Sequence, residues 1–386
     1  MKTVYLTTDQ EAQQAICELQ PKLKLCLDTE TTGLQAGIAK IRLLQVCEAD
    51  PTVEDRTVYV FDLFKLNVSE ELKHLIESRE LLVLHNANFD LQFLYLLDID
   101  YRNKVFDTYI AERVLRAGFK EKKVSPQKNK PYFADISCSL KAVAERRLEL
   151  EIDKEQRLTD WSQPELTLEQ IEYASKDVDI LPAIAADQLK EIKEENLLDI
   201  YTLESKCIRP VAKMCYRGFN VDVTKLKALK SKITEDLNAI NTEFVESLDK
   251  RLPGEKRLPR GENGLVLIGK KAGKEFNPGS TAQVISAFTE AGIELPMNAD
   301  TGKFTLNQIA LSEFDSQDPT LNLYRERAKI ETRLEHVDKL IDNVNPVTHR
   351  IHSGYNQFGA NSGRFTSSGS PKVSKTKTKT VFGVNI

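Results

Sequence analysis

Four acids and one tyrosine in this sequence have the types and spacing for shared chemistry. Asp28 and Glu30 lie two positions apart in LCLDTETTGL, Asp90 closes HNANFD, and Tyr173 and Asp177 stand four apart in EYASKDVDIL. On a strand, residues two apart share a face with Cα atoms about 6.5 to 7 Å apart, so Asp28 and Glu30 would repel one another. On a helix, positions i and i+4 share a face, which sets the Tyr173 phenol beside the Asp177 carboxylate. Taken singly, each feature has a plain explanation: two acids in a turn, an acid near a helix N-terminus, a solvated pair. Taken together, Asp28, Glu30, Asp90 and Asp177 bring four carboxylates from two strand ends and a helix. An all-oxygen donor set suits hard cations, so two Mg²⁺ or Mn²⁺ ions are expected. Held about 3.5 to 4 Å apart, such ions clamp the attacking and leaving oxygens of a phosphodiester.

These residues need a scaffold, and the surrounding pattern predicts one. Apolar, partly β-branched runs at 23–28, 41–47, 58–62 and 81–85 read as strands, the first three as an antiparallel meander. Helical spacing at 72–77 and 88–97 then gives a βαβα continuation, hence an α/β fold with a mixed sheet flanked by helices. Further helices are expected at 107–115 and 139–148, with the lysine-rich KEKKVSPQKNK (120–130) between them as a solvated loop. Thr167 opens a capping-box helix that should carry Tyr173 and Asp177 as far as Pro182. Beyond residue 200 the chain turns almost wholly helical. A helix ends at Gly218, a long polar one covers 225–248, and its antiparallel partner covers 321–344. Between them lie a basic segment, KRLPGEKRLPRGENG (250–264), and a short helix capped by Ser280 and closed by Gly292.

Composition narrows the classes. With 386 residues, 41% hydrophobic and 29% charged, the chain reads as a multidomain globular protein. No apolar run approaches the roughly 18 residues of a membrane span, and no secretory signal is visible, so a cytoplasmic location is expected. The six cysteines fall at irregular spacings without C-x-x-C, which points to reduced thiols rather than zinc or disulfides. A net charge of −4 argues against non-specific coating of nucleic acid while leaving room for a local basic track.

In order and context, D-x-E in LDTETTGL, then HNANFD, then Tyr173-x-x-x-Asp177 resemble the DEDDy 3′ to 5′ exonucleases, as do KIRLLQV (40–46) and FDT (106–108). The resemblance covers about residues 1–200 and implies a ribonuclease H-like fold. It implies that Asp28, Glu30, Asp90 and Asp177 are metal ligands, with Asp28 bridging, and that Tyr173 orients the attacking water. A phenol of pKa about 10 is a poor base at neutral pH, so orientation is the role chemistry allows it. Thr31, Leu34, Asn86 and Phe89 match positions that contact 3′-terminal nucleotides; for Leu34 and Phe89, core packing competes with stacking on an unpaired base.

The second half resembles family A DNA polymerases, the DNA polymerase I family. ESKCIRPVAKMCYRGFNVD (204–222) is similar to the segment joining exonuclease to polymerase, FNPGSTAQVISAF (276–288) to a thumb helix, and RIHSGYNQFGANSGRFTSS (350–368) to the opening of the palm. The implied organisation is an exonuclease domain at 1–200, a helical thumb-like region at 201–345, and the start of a palm at 346–386. A helix pair with a basic tip suits the phosphates of a duplex, and Arg350, His352 and Arg364 extend that positive track. After Arg364 only 22 residues remain, without an acid and ending in a Lys-Thr alternation expected to be disordered. Polymerase catalysis is therefore not expected from this chain alone, nor a preceding 5′ to 3′ nuclease domain. The leading expectation is a metal-dependent, proofreading-type 3′ to 5′ exonuclease acting on single-stranded or frayed DNA ends. One alternative is a DNA-binding subunit that assembles with a separate palm-fingers polypeptide; another is ribonuclease D-like RNA trimming.

Overall fold

The computed structural model describes residues 1–386 except 126–128, 152–158, 272, 300, 361 and 369–386. The Lys-Thr alternation at 375–380 lies outside the described residues. The chain forms two units, one of residues 1–219 with 345 onwards, the other of 220–344.

The first unit is built on six strands: β1 (Lys2–Leu6), β2 (Lys24–Thr31), β3 (Ile41–Glu48), β4 (Thr57–Asp62), β5 (Leu81–Leu84) and β6 (Lys104–Asp107), in spatial order β1-β4-β3-β2-β5-β6. Only β3 runs against the others. The C-terminal ends of β2, β5 and β6 therefore collect on one edge of the sheet, where α/β folds place ligands. The core strands have buried residues on both faces, as sequences such as LCL and LLQVC require when helices cover both sides. The helices are α1 (Asp9–Leu19), α2 (Glu70–Glu77), α3 (Ala87–Leu96), α4 (Thr108–Leu115), α5 (Leu140–Leu148), α6 (Leu168–Asp179), α7 (Leu181–Glu194) and α8 (Leu198–Arg217). This is the mixed sheet with flanking helices that the pattern predicts, continued by a helical region.

Several elements depart from the pattern. β1 and α1 escaped the periodicity because β1 is a short edge strand, made a strand by its parallel pairing with β4. The first part of the expected loop at 120–130 is instead a strand, β7 (Lys120–Val124), paired antiparallel with β8 (Pro131–Asp135). Lysine disfavours strands only weakly, and the partner strand supplies the ladder. The Thr167 capping box is present in full, and Pro182 sits in the first turn of α7, where a missing N–H costs nothing.

The second unit pairs α9 (Val223–Arg251), which follows the short β9 (Phe219–Asn220), with α12 (Pro319–Asp342); α10 (Thr281–Glu290) and α11 (Gln308–Glu313) lie between them in sequence. The pair is antiparallel: Lys230 near the start of α9 meets Asp338 near the end of α12 at 2.7 Å, while Ser247 meets Thr320 at 2.8 Å. Phe244, Phe288 and Tyr324 pack ring against ring in its core, with centroids 5.4 to 5.8 Å apart. The remaining short strands are β10 (Arg350–Ile351), β11 (Gly354–Asn356) and β12 (Thr366–Ser368), the last two paired in the first unit. Among the described residues no helix is long and apolar enough to cross a membrane.

Candidate active site

Alternation along β2 puts Asp28 and Glu30 on one face of the strand, opposite Gln45 and Leu43 of β3. A register shift between Glu30 and Thr31 ends the regular ladder just past the pair. On α6, Asp177 faces the same point: carboxylate oxygens of Asp28, Glu30 and Asp177 all lie within 4.8 Å of one another. Among the described residues no other set of His, Cys, Asp or Glu side chains converges in this way.

The fourth acid, Asp90, is buried on the first turn of α3, and its Oδ1 accepts a hydrogen bond from the Thr29 hydroxyl at 2.7 Å. It lies outside the set of three, yet it is the foremost of the neighbouring charges acting on Asp28. Burial, reinforced by Asp90, Glu30 and Asp177, pushes the Asp28 carboxyl well above the usual carboxylate range. Burial likewise raises Asp90 to about 7, against the lowering effect of its hydrogen bonds from Thr29. Carboxylates crowded until they resist ionising form a site that a divalent cation relieves, and an oxygen-only set matches hard cations. Tyr173 is half-buried one turn before Asp177; burial and then the charges of Asp177, Glu30 and Asp28 drive its phenol far upward. It therefore holds its proton and can donate a hydrogen bond.

Two arginines seat α6, the helix that carries this pair. Fully buried Arg42 of β3 donates to Pro164 O at 3.0 Å and to Gln163 O, just before α6, and pairs with Asp62 at 2.9 Å. At the other end Arg56 donates to the Asp179 carbonyl and carboxylate, both at 3.0 Å. Neither arginine was a sequence candidate. The signal available for Arg42 was a charge embedded in the apolar run IRLLQV.

A further residue outside the expected set is Asp107, at the end of β6. Its buried carboxylate accepts from the backbone N–H groups of Asn86, Ala87 and Tyr109, each at 2.9 Å, and of Ile110 at 3.3 Å. One side chain thus caps α4 and pins the start of α3, with Asn86 held at φ 65° in the left-handed region. Burial outweighs those four hydrogen bonds and lifts the Asp107 carboxyl to about 6.

The expected substrate contacts separate. Leu34 stands 73% exposed in the loop after β2. Phe89 is half-buried with its ring 5.0 Å from Phe93, a packing role. The Thr31 hydroxyl donates to Gly33 O at 2.7 Å, stiffening the loop that bears Leu34. His352 is buried, with its ring nitrogens at 3.0 Å from Cys215 O and 2.7 Å from the Thr348 hydroxyl, so it is committed within the fold. Arg350 turns its guanidinium onto the carbonyls of Arg217 and Gly218, while Arg364 is exposed. A continuous track through these three is thus interrupted at His352. In the second unit the basic segment stays exposed but is partly paired: Arg251 with Asp318, and Arg257 and Arg260 with buried Asp249. Desolvated acids compete for cations that the expectation assigned to phosphate.

The fold and the acid cluster define a nuclease-type α/β domain. Residues 3–193 match the 3′–5′ exonuclease family model of A-type DNA polymerases. Related chains include DNA polymerase I of Aquifex aeolicus, 27% identical over 94% of this chain and 56% of that one, and DNA polymerase I of Borreliella burgdorferi, 23% identical over 94% and 36%. A solved structure titled as the POL domain of Pol1 from M. smegmatis with DNA primer-template and dNTP superposes with a TM-score of 0.65, at 18% identity, over 94% of this chain and 54% of that one. The chain thus spans little more than half the length of these relatives, or less. Residues 3–193 carry the 3′–5′ exonuclease domain of A-type DNA polymerases, and the chain is similar to DNA polymerase I over most of its length.

Proposed function

We propose that the chain hydrolyses DNA from the 3′ end, one nucleotide at a time, as a metal-dependent proofreading-type exonuclease. The observation that carries this reading is the convergence of Asp28, Glu30 and Asp177 within 4.8 Å, with Asp90 acting electrostatically on the same point. Asp28, Glu30, Asp90 and Asp177 would hold two divalent ions, Mg²⁺ or Mn²⁺, with Asp28 central because its carboxyl feels the other three. When bound, such ions lower the pKa of water and offset the charge that develops on the leaving oxygen. The protein's own contribution is positioning. Tyr173, protonated at neutral pH, donates a hydrogen bond that aims the water rather than removing its proton. Exposed Leu34 offers an apolar edge for a terminal base, and the Asn86 side chain stands at the mouth of α3 without a capping bond. Unpaired ends are favoured, because a terminal base must leave its stack to meet that edge.

Expected in the test is a ladder of 3′-shortened products from 5′-labelled DNA with Mg²⁺, abolished by EDTA. Asp28→Ala should lower the rate by at least about a hundredfold. An undiminished ladder in EDTA, or in Asp28→Ala, would overturn the reading. Equal-length RNA in the same assay separates it from ribonuclease D-like trimming. The alternative of assembly with a separate palm-fingers polypeptide rests on the segment after 345, of which some described residues are engaged inside their own unit while Val347 and Phe365 stay exposed. Gln357 donates to the Glu204 carboxylate at 2.6 Å, and Arg113 to Phe358 O at 3.1 Å.

A further inference from the structure

The hairpin of β7 and β8 exposes side chains that the fold gives no reason to expose. Phe133 is 70% exposed, Phe119 just before β7 is 62%, and Tyr132 and Val124 are about half exposed or more. None of them joins any of the buried apolar clusters among the described residues. A two-stranded hairpin gains little stability alone, so rings left in water on one are a surface held for something else.

Lysines stand beside those rings. In the antiparallel register Lys122 lies opposite Phe133, and Lys123 opposite Tyr132. Directly opposed residues point to the same face, so Phe133 shares its face with Lys122 and Lys120, the latter opposite Asp135, and Tyr132 shares the other with Lys123. Lys123 is paired with Glu121 at 2.8 Å, while Lys120 and Lys122 enter no ion pair among the described residues.

We propose that the hairpin grips a single strand of nucleic acid on the face that carries Phe133, whose ring stacks on an unpaired base while Lys120 and Lys122, on the same face, meet phosphates. The pairing of a flat apolar surface with a cation matches a polymer that alternates base and phosphate. A duplex fits less well, because its base faces are already stacked. A purely apolar protein partner gives no use for the lysines. The proposal rests on the exonuclease reading, since it describes how that enzyme retains the strand it shortens.

Fluorescence anisotropy on the full chain in EDTA tests it, using a labelled oligothymidylate of about 20 nucleotides. Phe133→Ala should weaken binding about tenfold or more, with thermal unfolding unaltered, whereas Tyr132→Ala on the other face should change it little. Lys122→Glu should lower the slope of log affinity against log salt by about 1. In the presence of Mg²⁺, Phe133→Ala and Lys122→Glu should both show a raised KM on long single strands. Unchanged affinity and salt slope, or an equal loss on blunt duplex, would overturn the proposal. A chain that grips the strand through the hairpin and never cuts it overturns the exonuclease reading alone. One that cuts with a KM indifferent to these variants overturns the hairpin alone.

Discussion

Asp28 and Asp90 show how a site can be arranged against its own ionisation. In the folded state Asp90 titrates at about 7, whereas the ordinary aspartate value is 3.8. The native state therefore binds more protons than the unfolded chain between those two values, and stability must fall as pH rises through that window. Thermal unfolding in EDTA should give a higher Tm near pH 5 than near pH 8, a direction set by Asp28 and Asp90 together. Mg²⁺ should reverse the trend, since binding to the ionised site stabilises by about 2.7 kcal/mol at a hundred times Kd. A metal-free Tm that climbed with pH would contradict the crowding seen here. Tyr173 yields a second expectation at this scale. Tyr173→Phe keeps the ring and removes the donor, so kcat should fall roughly ten- to a hundredfold with little change in KM. Its pH profile should stay in place, because a phenol held so high does not titrate in the working range.

Elements turn scattered residues into a site. The ends of β2, β5 and β6 meet because these strands run parallel, and α6 is seated at both ends by Arg42 and Arg56. Asp107 ties the start of α3 to the start of α4 through four backbone N–H groups. Asp107→Ala would leave those donors buried without an acceptor. Urea denaturation should show a loss on the order of 3 kcal/mol, and activity should fall with it because α3 carries Asp90. Asp107→Asn retains one acceptor oxygen and should recover part of both. Equal stability of Asp107→Ala and the wild type would remove the clamp from the account.

Among the described residues each unit has its own main core, one around the mixed sheet and one around Phe244, Phe288 and Tyr324. Each unit has its own buried apolar residues, so calorimetry should resolve two transitions. Divalent ions should raise only the transition of the unit that holds Asp28, Glu30 and Asp177. A single transition that shifts as one on adding Mg²⁺ would show coupling between the units. The residues after 345 belong to the first unit, where His352, Gln357 and Phe358 engage Cys215, Glu204 and Arg113.

Local chemistry was legible in the sequence wherever a residue acts through its neighbours along the chain. The period-2 placement of Asp28 and Glu30, the i, i+4 pairing of Tyr173 with Asp177, the Thr167 capping box and the long helices after residue 200 are such cases. Spacing on one strand or one helix is fixed by backbone geometry alone. What depended on distant partners was not legible. β1 is a strand because β4 lies beside it; the start of the lysine-rich segment is a strand because Pro131–Asp135 pairs with it; His352 faces inward because Cys215 O and Thr348 are there to meet it. The pairing of Arg257 and Arg260 with buried Asp249 was likewise not legible, because Asp249 comes beside them only in the fold. Charges act through space with a strength that burial sets, and only the tertiary structure decides which of them are buried together.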